Sequence, residues 1–301
     1  LYVADAGNAR LRTISRRHEA AALDAGHFNT MSGVAADASG NVYVADKGAH
    51  VIRKMDAGTK EQYIVAGQLD TPGALDGPGL TALFDAPSGI AWGAGADAGF
   101  LYIADTGNHI IRKIDLGNNA LVTTIAGNAG VYGCADGLKD EALFNHPGGI
   151  VVDGKGVLYL ADTGNSIIRE IKPTGMVVTI AGDPGKDGIA GVPGFKDDIG
   201  TRARFNGPVD VALGGDGEYL YVADTGNKAI RKIDANDAVF TLPLTRATGS
   251  GSVPDGNGEM AENSGTRNGG GAPSIKFFAA VFILMFYANA RNKRNNVPHR
   301  L

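Results

Sequence analysis

The sequence predicts an all-β fold, and three observations support that fold class. Glycine is about twice as frequent as the usual ~7%, with 45 glycines among 301 residues, as expected for many short strands joined by tight turns. Charged residues make up 20% and hydrophobic residues 44%, which excludes a highly charged disordered chain. One strand–turn–strand pattern recurs five times, and repetition of such a unit predicts a β-propeller.

Each copy of the repeat is predicted to form a β-hairpin. In the third copy, Leu-Tyr-Ile-Ala at residues 101–104 reads as a strand, Asp-Thr-Gly-Asn as a turn and Ile-Ile-Arg-Lys-Ile as the returning strand. A minimal blade needs ~40 residues, so longer spacings between copies leave room for insertions. The tyrosines that mark the copies lie 41 to 62 residues apart: Tyr2, Tyr43, Tyr102, Tyr159 and Tyr221.

Two further strands complete the predicted unit. An apolar segment such as Ser-Gly-Ile-Ala-Trp at residues 88–92 precedes the hairpin, and one such as Val-Thr-Thr-Ile-Ala-Gly at residues 122–127 follows it. Four antiparallel strands per repeat predict a propeller over residues 1–245, with five blades visible. The first hairpin lacks a leading strand, so we expect this propeller to be incomplete at its N-terminus.

The repeated pattern, as in Tyr-Val-Ala-Asp-Thr-Gly-Asn at residues 221–227, resembles the NHL repeat. The match covers roughly residues 1–242 and departs from the family pattern at Lys47 and Ala49. The resemblance implies a propeller, often six-bladed, that acts as a protein- or RNA-binding platform, a sensor ectodomain or, rarely, a lyase. We therefore expect six blades in the intact protein. The layout is most similar to plant-type NHL-domain membrane proteins, which combine such a propeller with a C-terminal apolar segment.

Strand alternation places three long insertions on the same face as the Asp-Thr-Gly-Asn turns. They occupy residues 68–87, 128–147 and 183–208. Long loops on a rigid scaffold often carry binding sites. Alternatively, their phenylalanines pack between neighbouring blades and their Asp-Gly pairs only form turns, and for the phenylalanines we favour packing. The candidate binding residues of this face are Asp76, Phe84, Asp136, Phe144, Asn145, Asp187, Phe205 and Asn206.

Each repeat also contains an aspartate and, seven residues later, an arginine. The aspartates could ring one face and bind a cation, or each could close its own turn or pair with its arginine. Because every repeat has the pair, whereas a catalytic site needs it once, we favour the structural role. These residues are Asp5, Asp46, Asp105, Asp162 and Asp224 with Arg12, Arg53, Arg112, Arg169 and Arg231.

Three histidines are weak candidates for a metal site. His50 and His109 occupy the same repeat position, and His146 lies in an insertion on the same face. Three imidazoles could bind zinc, as similarity to a propeller lyase implies. Ser166 and Lys228 occupy that position in later repeats, which favours an exposed position without a metal. No catalytic residue and no cofactor are predicted.

The C-terminal segment differs from the propeller in composition and charge. Residues 1–273 carry 23 basic and 32 acidic side chains, and such an acidic surface disfavours nucleic acid as a partner. Residues 246–274 are predicted to form a flexible linker rich in Gly, Ser and Asn, residues 275–290 a transmembrane helix, and residues 291–301 a basic tail. The alternative for the short apolar run is a packed helix. Since basic residues favour the cytoplasmic side, we expect a single-pass membrane protein with a lumenal or extracellular propeller and a cytoplasmic tail.

Two functions from different classes follow from this organisation. The leading hypothesis is a non-enzymatic, membrane-tethered propeller that acts as a scaffold or sensor and binds an unknown protein or small-molecule ligand through the insertion-bearing face. The alternative is a metal-dependent lyase or hydrolase with its site in the central channel. Stoichiometric zinc or calcium in the purified propeller would contradict the leading hypothesis.

Overall fold

The repeats fold into five antiparallel β-sheets, the blades of a propeller, which we number I to V in chain order. The computed structural model describes residues 1–243, except for residues 16, 18, 24–27, 94, 187 and 215–216. The predicted linker, transmembrane helix and basic tail lie outside these residues. Within the described part of the chain, no helix is long and apolar enough to cross a membrane.

The strands of each blade pair in chain order, and the described residues of blade I form three of them: β1 (Tyr2–Asp5), β2 (Arg10–Ile14) and β3 (Ala20–Ala22). Blade II contains β4 (Met31–Ala36), β5 (Val42–Asp46), β6 (Val51–Met55) and β7 (Gln62–Ala66). Blade III contains β8 (Pro87–Trp92), β9 (Phe100–Asp105), β10 (Ile110–Asp115) and β11 (Leu121–Ala126). Blade IV contains β13 (Pro147–Val152), β14 (Leu158–Asp162), β15 (Ile167–Ile171) and β16 (Met176–Ala181), and a two-residue strand of an insertion, β12 (Gly137–Leu138), pairs with β16. Blade V contains β17 (Pro208–Leu213), β18 (Leu220–Asp224), β19 (Ala229–Ile233) and β20 (Val239–Thr241).

The hairpin turn has one geometry in all five blades. A single 3-10 turn follows the aspartate, at Ala6–Asn8, Lys47–Ala49, Thr106–Asn108, Thr163–Asn165 and Thr225–Asn227. The next residue is left-handed, with φ between 50° and 61°, at Ala9, His50, His109, Ser166 and Lys228. Non-glycine residues rarely adopt this conformation, so contacts elsewhere must maintain it. Further 3-10 turns lie outside these hairpin turns, at Gly95–Asp97, Lys139–Glu141 and Gly200–Arg202.

Glycines allow the innermost strands of neighbouring blades to approach each other closely. A Cβ atom at Gly33 would overlap the carbonyl oxygen of Ser88, and one at Gly89 would overlap that of Gly148. Only glycine leaves room for backbone at such a contact. Blade V differs, because Asp210 occupies the position that glycine occupies in the three preceding blades.

The hydrophobic core lies between the blades. One cluster joins Ala104 and Ile111 of blade III to Leu160 of blade IV, and a second joins Ile52 of blade II to Ile103 of blade III. Burial of apolar area stabilises by roughly 25 cal/mol per Å², so the packing between blades couples the stability of each blade to that of its neighbours. The insertions add phenylalanines to these interfaces, and all three are fully buried: Phe84, Phe144 and Phe205.

Candidate functional site

The face that carries the hairpin turns, which we call the turn face, also holds the three insertions. In blade III the aspartate of the repeat joins the turn to the insertion. Asp105 accepts the backbone N–H of Asp85 at 2.8 Å through Oδ1, while its Oδ2 accepts Asn108 Nδ2 at 2.9 Å and Arg112 Nη1 at 2.8 Å. Asn108 Nδ2 also donates to the carbonyl of Gly73 at 2.6 Å. One buried carboxylate therefore links the turn, the third strand and the end of the insertion.

The arginine extends this link along the insertion. Arg112 Nη1 donates to the carbonyl of Leu83, and Nη2 donates to the carbonyl of Leu75, both at 2.9 Å. Nη2 also donates to Asp76 Oδ1 at 2.7 Å. The arginine side chain is fully buried and its guanidinium lies 4.9 Å from the Phe84 ring, a cation–π contact. The insertion is therefore held on the blade by charge-assisted hydrogen bonds.

The insertion aspartate reaches the outermost strand of the same blade. Asp76 Oδ2 accepts the N–H of Thr124 at 2.9 Å, and Oδ1 accepts its hydroxyl at 3.0 Å. The next residue, Gly77, exchanges two backbone hydrogen bonds with Val122, of 3.1 and 2.8 Å. The insertion thus adds an extended segment to the outer edge of the sheet.

Blades IV and V repeat this arrangement, which we call the insertion anchor. In blade IV, Asp162 and Asp136 bind Arg169 at 3.0 and 2.9 Å, and Asp136 also accepts two hydrogen bonds from Thr179. In blade V, Asp224 and Asp197 bind Arg231 at 2.8 and 2.6 Å, and Asp197 accepts two from Thr241. The turn asparagines Asn165 and Asn227 donate to the carbonyls of Gly133 and Gly194.

Sequence reasoning missed Asp197 and assigned Asp187 to this position instead. Asp187 lies outside the described residues, whereas Asp197 occupies the place of Asp76 and Asp136 in the anchor. The spacing to the buried phenylalanine could have identified it, since each anchor aspartate precedes its phenylalanine by eight residues. An Asp-Gly pair signals a turn, but it does not determine which carboxylate faces the arginine.

Burial opposes ionisation of the anchored aspartates. It raises the pKa of Asp105 and of Asp162 to about 6, even though the adjacent arginines and hydrogen bonds act in the opposite direction. Burial also raises the pKa of Asp210 to about 6, and among the described residues only the N–H of Val211 donates to this carboxylate, at 2.9 Å. Asp210 is therefore the least compensated of the three.

The candidate asparagines and phenylalanines of the insertions make structural contacts: the asparagines through their backbone N–H groups, and the phenylalanines through packing. Asn145 and Asn206 donate their backbone N–H groups to the aspartates of the next hairpins, Asp162 and Asp224, both at 2.8 Å. Full burial leaves no surface of Phe84, Phe144 or Phe205 for a ligand, so these three are packing residues and not binding residues. Sequence reasoning overlooked a fourth phenylalanine, Phe28, which is 7% exposed and precedes Asn29 as Phe144 precedes Asn145.

In the described residues of blades I and II, the Asp–Arg pair occurs without an insertion anchor. In blade II, Arg53 Nε donates to Asp46 at 2.8 Å, and in blade I, Arg12 Nε lies 2.6 Å from Asp5. The arginine side chains are 15% and 37% exposed, against 0% in blades III to V. All five aspartates thus pair with arginine, and the partner lies deepest in the blades that carry insertions.

The candidate histidines link one blade to the next. His50 Nδ1 accepts the N–H of Ala86, and His109 Nδ1 accepts the N–H of His146, both at 3.0 Å. An imidazole that accepts through Nδ1 carries its proton on Nε2, so neither nitrogen of these two rings offers a lone pair to a metal. Ser166 makes the same link to Gly207 through its hydroxyl, at 3.1 Å. Among the described residues, no group of three or more potential ligands could hold a metal ion.

The turn face exposes large apolar side chains, all of them from the insertions. They lie beside backbone that is bonded to the turns: the N–H of Asp70 donates to the carbonyl of Ala49, and that of Gly130 to Asn108, both at 3.0 Å. We call these side chains the insertion surface, and their exposed fractions run from 43% to 63%: Leu69, Val131, Tyr132, Ile189 and Phe195. Exposed aromatic and aliphatic side chains are typical of interaction sites.

The third insertion also forms a concave site next to this surface. A cleft of about 510 Å³ is lined by Phe195, Arg202 and Arg204, among others, a size suited to a small ligand. Arg204 pairs with Asp183 at 3.0 Å at its rim. The cleft therefore combines one exposed aromatic ring with charges of both signs.

Comparisons with known proteins identify partial relatives. The chain is 36% identical over 175 residues to Protein SUPPRESSOR OF QUENCHING 1, chloroplastic, of Arabidopsis thaliana, covering 54% of this chain and 16% of that protein. It is 30% identical over 172 residues to NHL repeat-containing protein 2 of Homo sapiens, covering 54% of this chain and 23% of that protein. The chain thus spans less than a quarter of the length of these relatives. No protein-family model matches the chain.

Solved structures share the architecture. An auxiliary nutrient binding protein from Bacteroides thetaiotaomicron superposes with a TM-score of 0.58 at 20% identity, covering 77% of this chain and 53% of that chain. A catalytically inactive virginiamycin B lyase from Staphylococcus aureus, in a structure with quinupristin, superposes with a TM-score of 0.51 at 13% identity, covering 80% and 65%. At such identities the likeness concerns the fold alone, which is found in binding proteins and in lyases.

Proposed function

We propose that this chain is an NHL-repeat β-propeller that serves as a non-enzymatic scaffold or sensor and binds a protein or small-molecule ligand through its insertion surface. The observation that carries this proposal is the pairing of exposed apolar side chains with a rigid support. Tyr132 and Phe195 are 63% and 60% exposed, yet each adjoins a glycine whose carbonyl accepts a turn asparagine.

This arrangement suits recognition because it reduces the entropic cost of binding. Loops that are already ordered lose little conformational freedom when a partner docks, and aromatic side chains contribute much contact area with few rotatable bonds. The second and third insertions also contact each other, since Cys134 donates its backbone N–H to the carbonyl of Gly188 at 2.9 Å. A ligand can therefore contact two insertions at once.

The alternative of a metal-dependent lyase or hydrolase has less support from the geometry. Two of its three proposed ligands, His50 and His109, use the Nδ1 lone pair to accept a backbone N–H group. His146 keeps a free Nε2, because its Nδ1 lies 2.8 Å from Asn145 Oδ1 and donates to it. A single histidine does not make a zinc site.

Site-specific photo-cross-linking tests the binding proposal. A photoreactive residue at Tyr132 or Phe195 should give a defined adduct in an extract of the source cells, whereas the same residue at Lys155, in the β13–β14 loop on the opposite face, should not. Excess unlabelled chain should compete for the adduct, and a Tyr132→Ser, Phe195→Ser double variant should not. Equal adducts from Lys155, or full competition by the double variant, would place binding elsewhere.

We also propose that residues 275–290 tether the propeller to a membrane, with residues 291–301 on the cytoplasmic side. The support is the apolar run from residue 277 to residue 288 and the four basic residues that follow it. The chain should resist alkaline extraction from membranes, and a chain without residues 275–290 should not. In sealed vesicles, protease on the cytoplasmic side should remove an epitope placed after Leu301; a protected epitope would reverse the orientation.

A further inference from the structure

The cleft of the third insertion differs in chemistry from the corresponding part of the other two insertions. Two positions before the anchor aspartate, the first insertion has Ala74, whereas the third has Phe195. One position before the buried phenylalanine, the first two insertions have Leu83 and Leu143, whereas the third has Arg204. On the same anchored scaffold, an aromatic ring and a cation thus replace aliphatic side chains.

Arg204 packs in the place of a leucine and carries its charge beyond that place. A Cβ atom at Gly73 would lie 2.8 Å from the Leu83 side chain, and one at Gly194 would lie 3.0 Å from Cδ of Arg204. The aliphatic part of Arg204 therefore covers its glycine as Leu83 does. Its guanidinium lies 3.0 Å from Asp183, and the arginine side chain is 44% exposed. The charge thus lies at the surface of the cleft and not in the core.

The ring of Phe195 is accessible and is supported from within the fold. The guanidinium of the fully buried Arg231 lies 5.1 Å from this ring and 4.9 Å from the ring of Phe205. Phe195 nevertheless remains 60% exposed. A ring that is held in this way can stack against the ring of a ligand.

Two further cations line the cleft and are held in position by one carboxylate. Asp198 lies 2.7 Å from Lys196 Nζ and 3.0 Å from Arg202 Nε. A guanidinium has five N–H donors, and the ion pairs of Arg202 and Arg204 each use one of them. Arg231 shows that one guanidinium can bind two carboxylates, since it holds two aspartates at 2.8 and 2.6 Å. The arginines of the cleft can therefore bind a carboxylate in addition to their present partners.

We propose that the cleft of the third insertion binds a small aromatic carboxylate. The ring of the ligand stacks on Phe195, and its carboxylate accepts hydrogen bonds from Arg202 and Arg204. The cleft volume of about 510 Å³ accommodates a molecule with one or two fused rings. This inference rests on the proposed function, because it assigns a ligand class to one part of the insertion surface.

The probe is naphthalene-2-carboxylate, and naphthalene-2-carboxamide is its uncharged match. Titration with the full chain, followed by the fluorescence anisotropy of the naphthalene ring, should show saturable binding of the carboxylate with a Kd below about 1 mM. The carboxamide should bind at least about 10-fold more weakly, because it lacks the charge that strengthens hydrogen bonds to a guanidinium. Naphthalen-2-yl phosphate serves as a second anion and tests the preference for a carboxylate.

Variants of the chain locate the site. Arg204→Leu introduces the residue that the first two insertions have, and should weaken binding of the carboxylate about 10- to 100-fold while leaving that of the carboxamide unchanged. Phe195→Ala should weaken binding of both probes about 5- to 30-fold, because both lose the stacked ring. Asp183→Asn removes the carboxylate that competes for Arg204, and should tighten binding of the carboxylate about 3- to 10-fold. Lys155→Leu removes a positive charge on the opposite face and should bind as the wild type does.

Equal affinity for the carboxylate and the carboxamide would overturn the proposal, as would binding of the phosphate without binding of the carboxylate. Thermal denaturation checks the fold of each variant, and if Arg204→Leu does not fold, unchanged affinity in Asp183→Asn would overturn the proposal by itself. Failure here is distinct from failure of the proposed function, because photo-cross-linking at Tyr132 and Phe195 uses no added small molecule. Persistent adducts without naphthalene binding would overturn only the ligand class, and absence of both would overturn the insertion surface as a binding site.

Discussion

Blades III to V and blades I and II have the same Asp–Arg pair, but they differ in what the pair holds. In the first group the arginine is fully buried and binds two aspartates and two insertion carbonyls, while in blade I it is 37% exposed and binds one aspartate. The difference shows that the repeat motif specifies the hairpin, whereas the insertion determines how deeply its charges are buried. Removal of one partner from a deeply buried ion pair destabilises the fold more than removal from an exposed one. The remaining charge is then buried with neither a counter-ion nor water to stabilise it.

The largest expected effect is the loss of an anchored arginine. Arg169→Ala should destabilise the chain by about 3–5 kcal/mol, because it leaves Asp162 fully buried without its cation. The matched variant Arg12→Ala should cost no more than about 1 kcal/mol, since its ion pair is exposed to solvent. Chemical denaturation of both variants measures the contrast. Similar losses of stability in the two variants would show that the insertions do not determine how much the ion pair contributes to the free energy of unfolding.

A smaller effect is expected from Asp210, where blade V departs from the glycine of blades II to IV. Its folded pKa of about 6 lies above the value of an unfolded aspartate, so its contribution to stability is full below about pH 4 and is lost as the pH rises through 6. Relative to Asp210→Asn, the wild type should therefore lose up to about 2–3 kcal/mol between pH 4 and pH 7. If the stability of the two proteins changed with pH in parallel, this result would contradict the burial of the Asp210 carboxyl.

Removal of an anchor aspartate should have a more local effect. Asp136→Ala deletes the acceptor for Arg169 and for both donors of Thr179, at a cost of about 1–2 kcal/mol. Hydrogen exchange of the Thr179 amide should accelerate. Asp140→Ala, at an exposed position four residues further on, serves as the control and should change neither quantity. An unchanged Thr179 amide in the first variant would mean that the insertion is held without this carboxylate.

The smallest effect concerns a link that both groups of blades share. His109→Ala should cost about 0.5–1.5 kcal/mol, because the N–H of His146 loses its acceptor. His109→Ser should recover part of this loss, since Ser166 makes the same link in the next blade. Both replacements are small, so they face the same left-handed backbone. Thermal denaturation compares the wild type with both variants. A melting temperature of His109→Ala equal to that of the wild type would show that the imidazole does not stabilise the blade junction.

Sequence reasoning predicted the repeating elements of this fold well because each is encoded locally. The alternation of apolar residues and the Asp-Thr-Gly-Asn turns identify every hairpin, and the all-β propeller with five blades is confirmed. The role of the left-handed residue was not predictable in this way. His50, His109 and Ser166 differ in chemistry, yet each accepts a backbone N–H group from the following blade, and only the folded geometry shows that shared task.

The candidate site was predicted less completely, because its contacts connect distant residues. The Asp-Gly signal led to Asp76 and Asp136 but also to Asp187, whereas Asp197 joins Arg231 across 34 residues. Phe28 was overlooked because its connector is too short to resemble the other insertions. Use of the insertions in binding, the sixth blade and the membrane tether stay predictions.

The order of the insertion anchor along the chain has a consequence for biosynthesis. Each insertion emerges from the ribosome before the blade that it fastens: Asp76 is made before Arg112, and Thr124 follows last. A nascent chain that stops before its fourth strand therefore contains both aspartates and the arginine of the anchor, but it lacks the outer strand whose Thr124 donates to Asp76. Each insertion is thus fixed only when the fourth strand of its blade is complete. A chaperone or protease that recognises loose insertions would therefore distinguish an unfinished chain from a finished one.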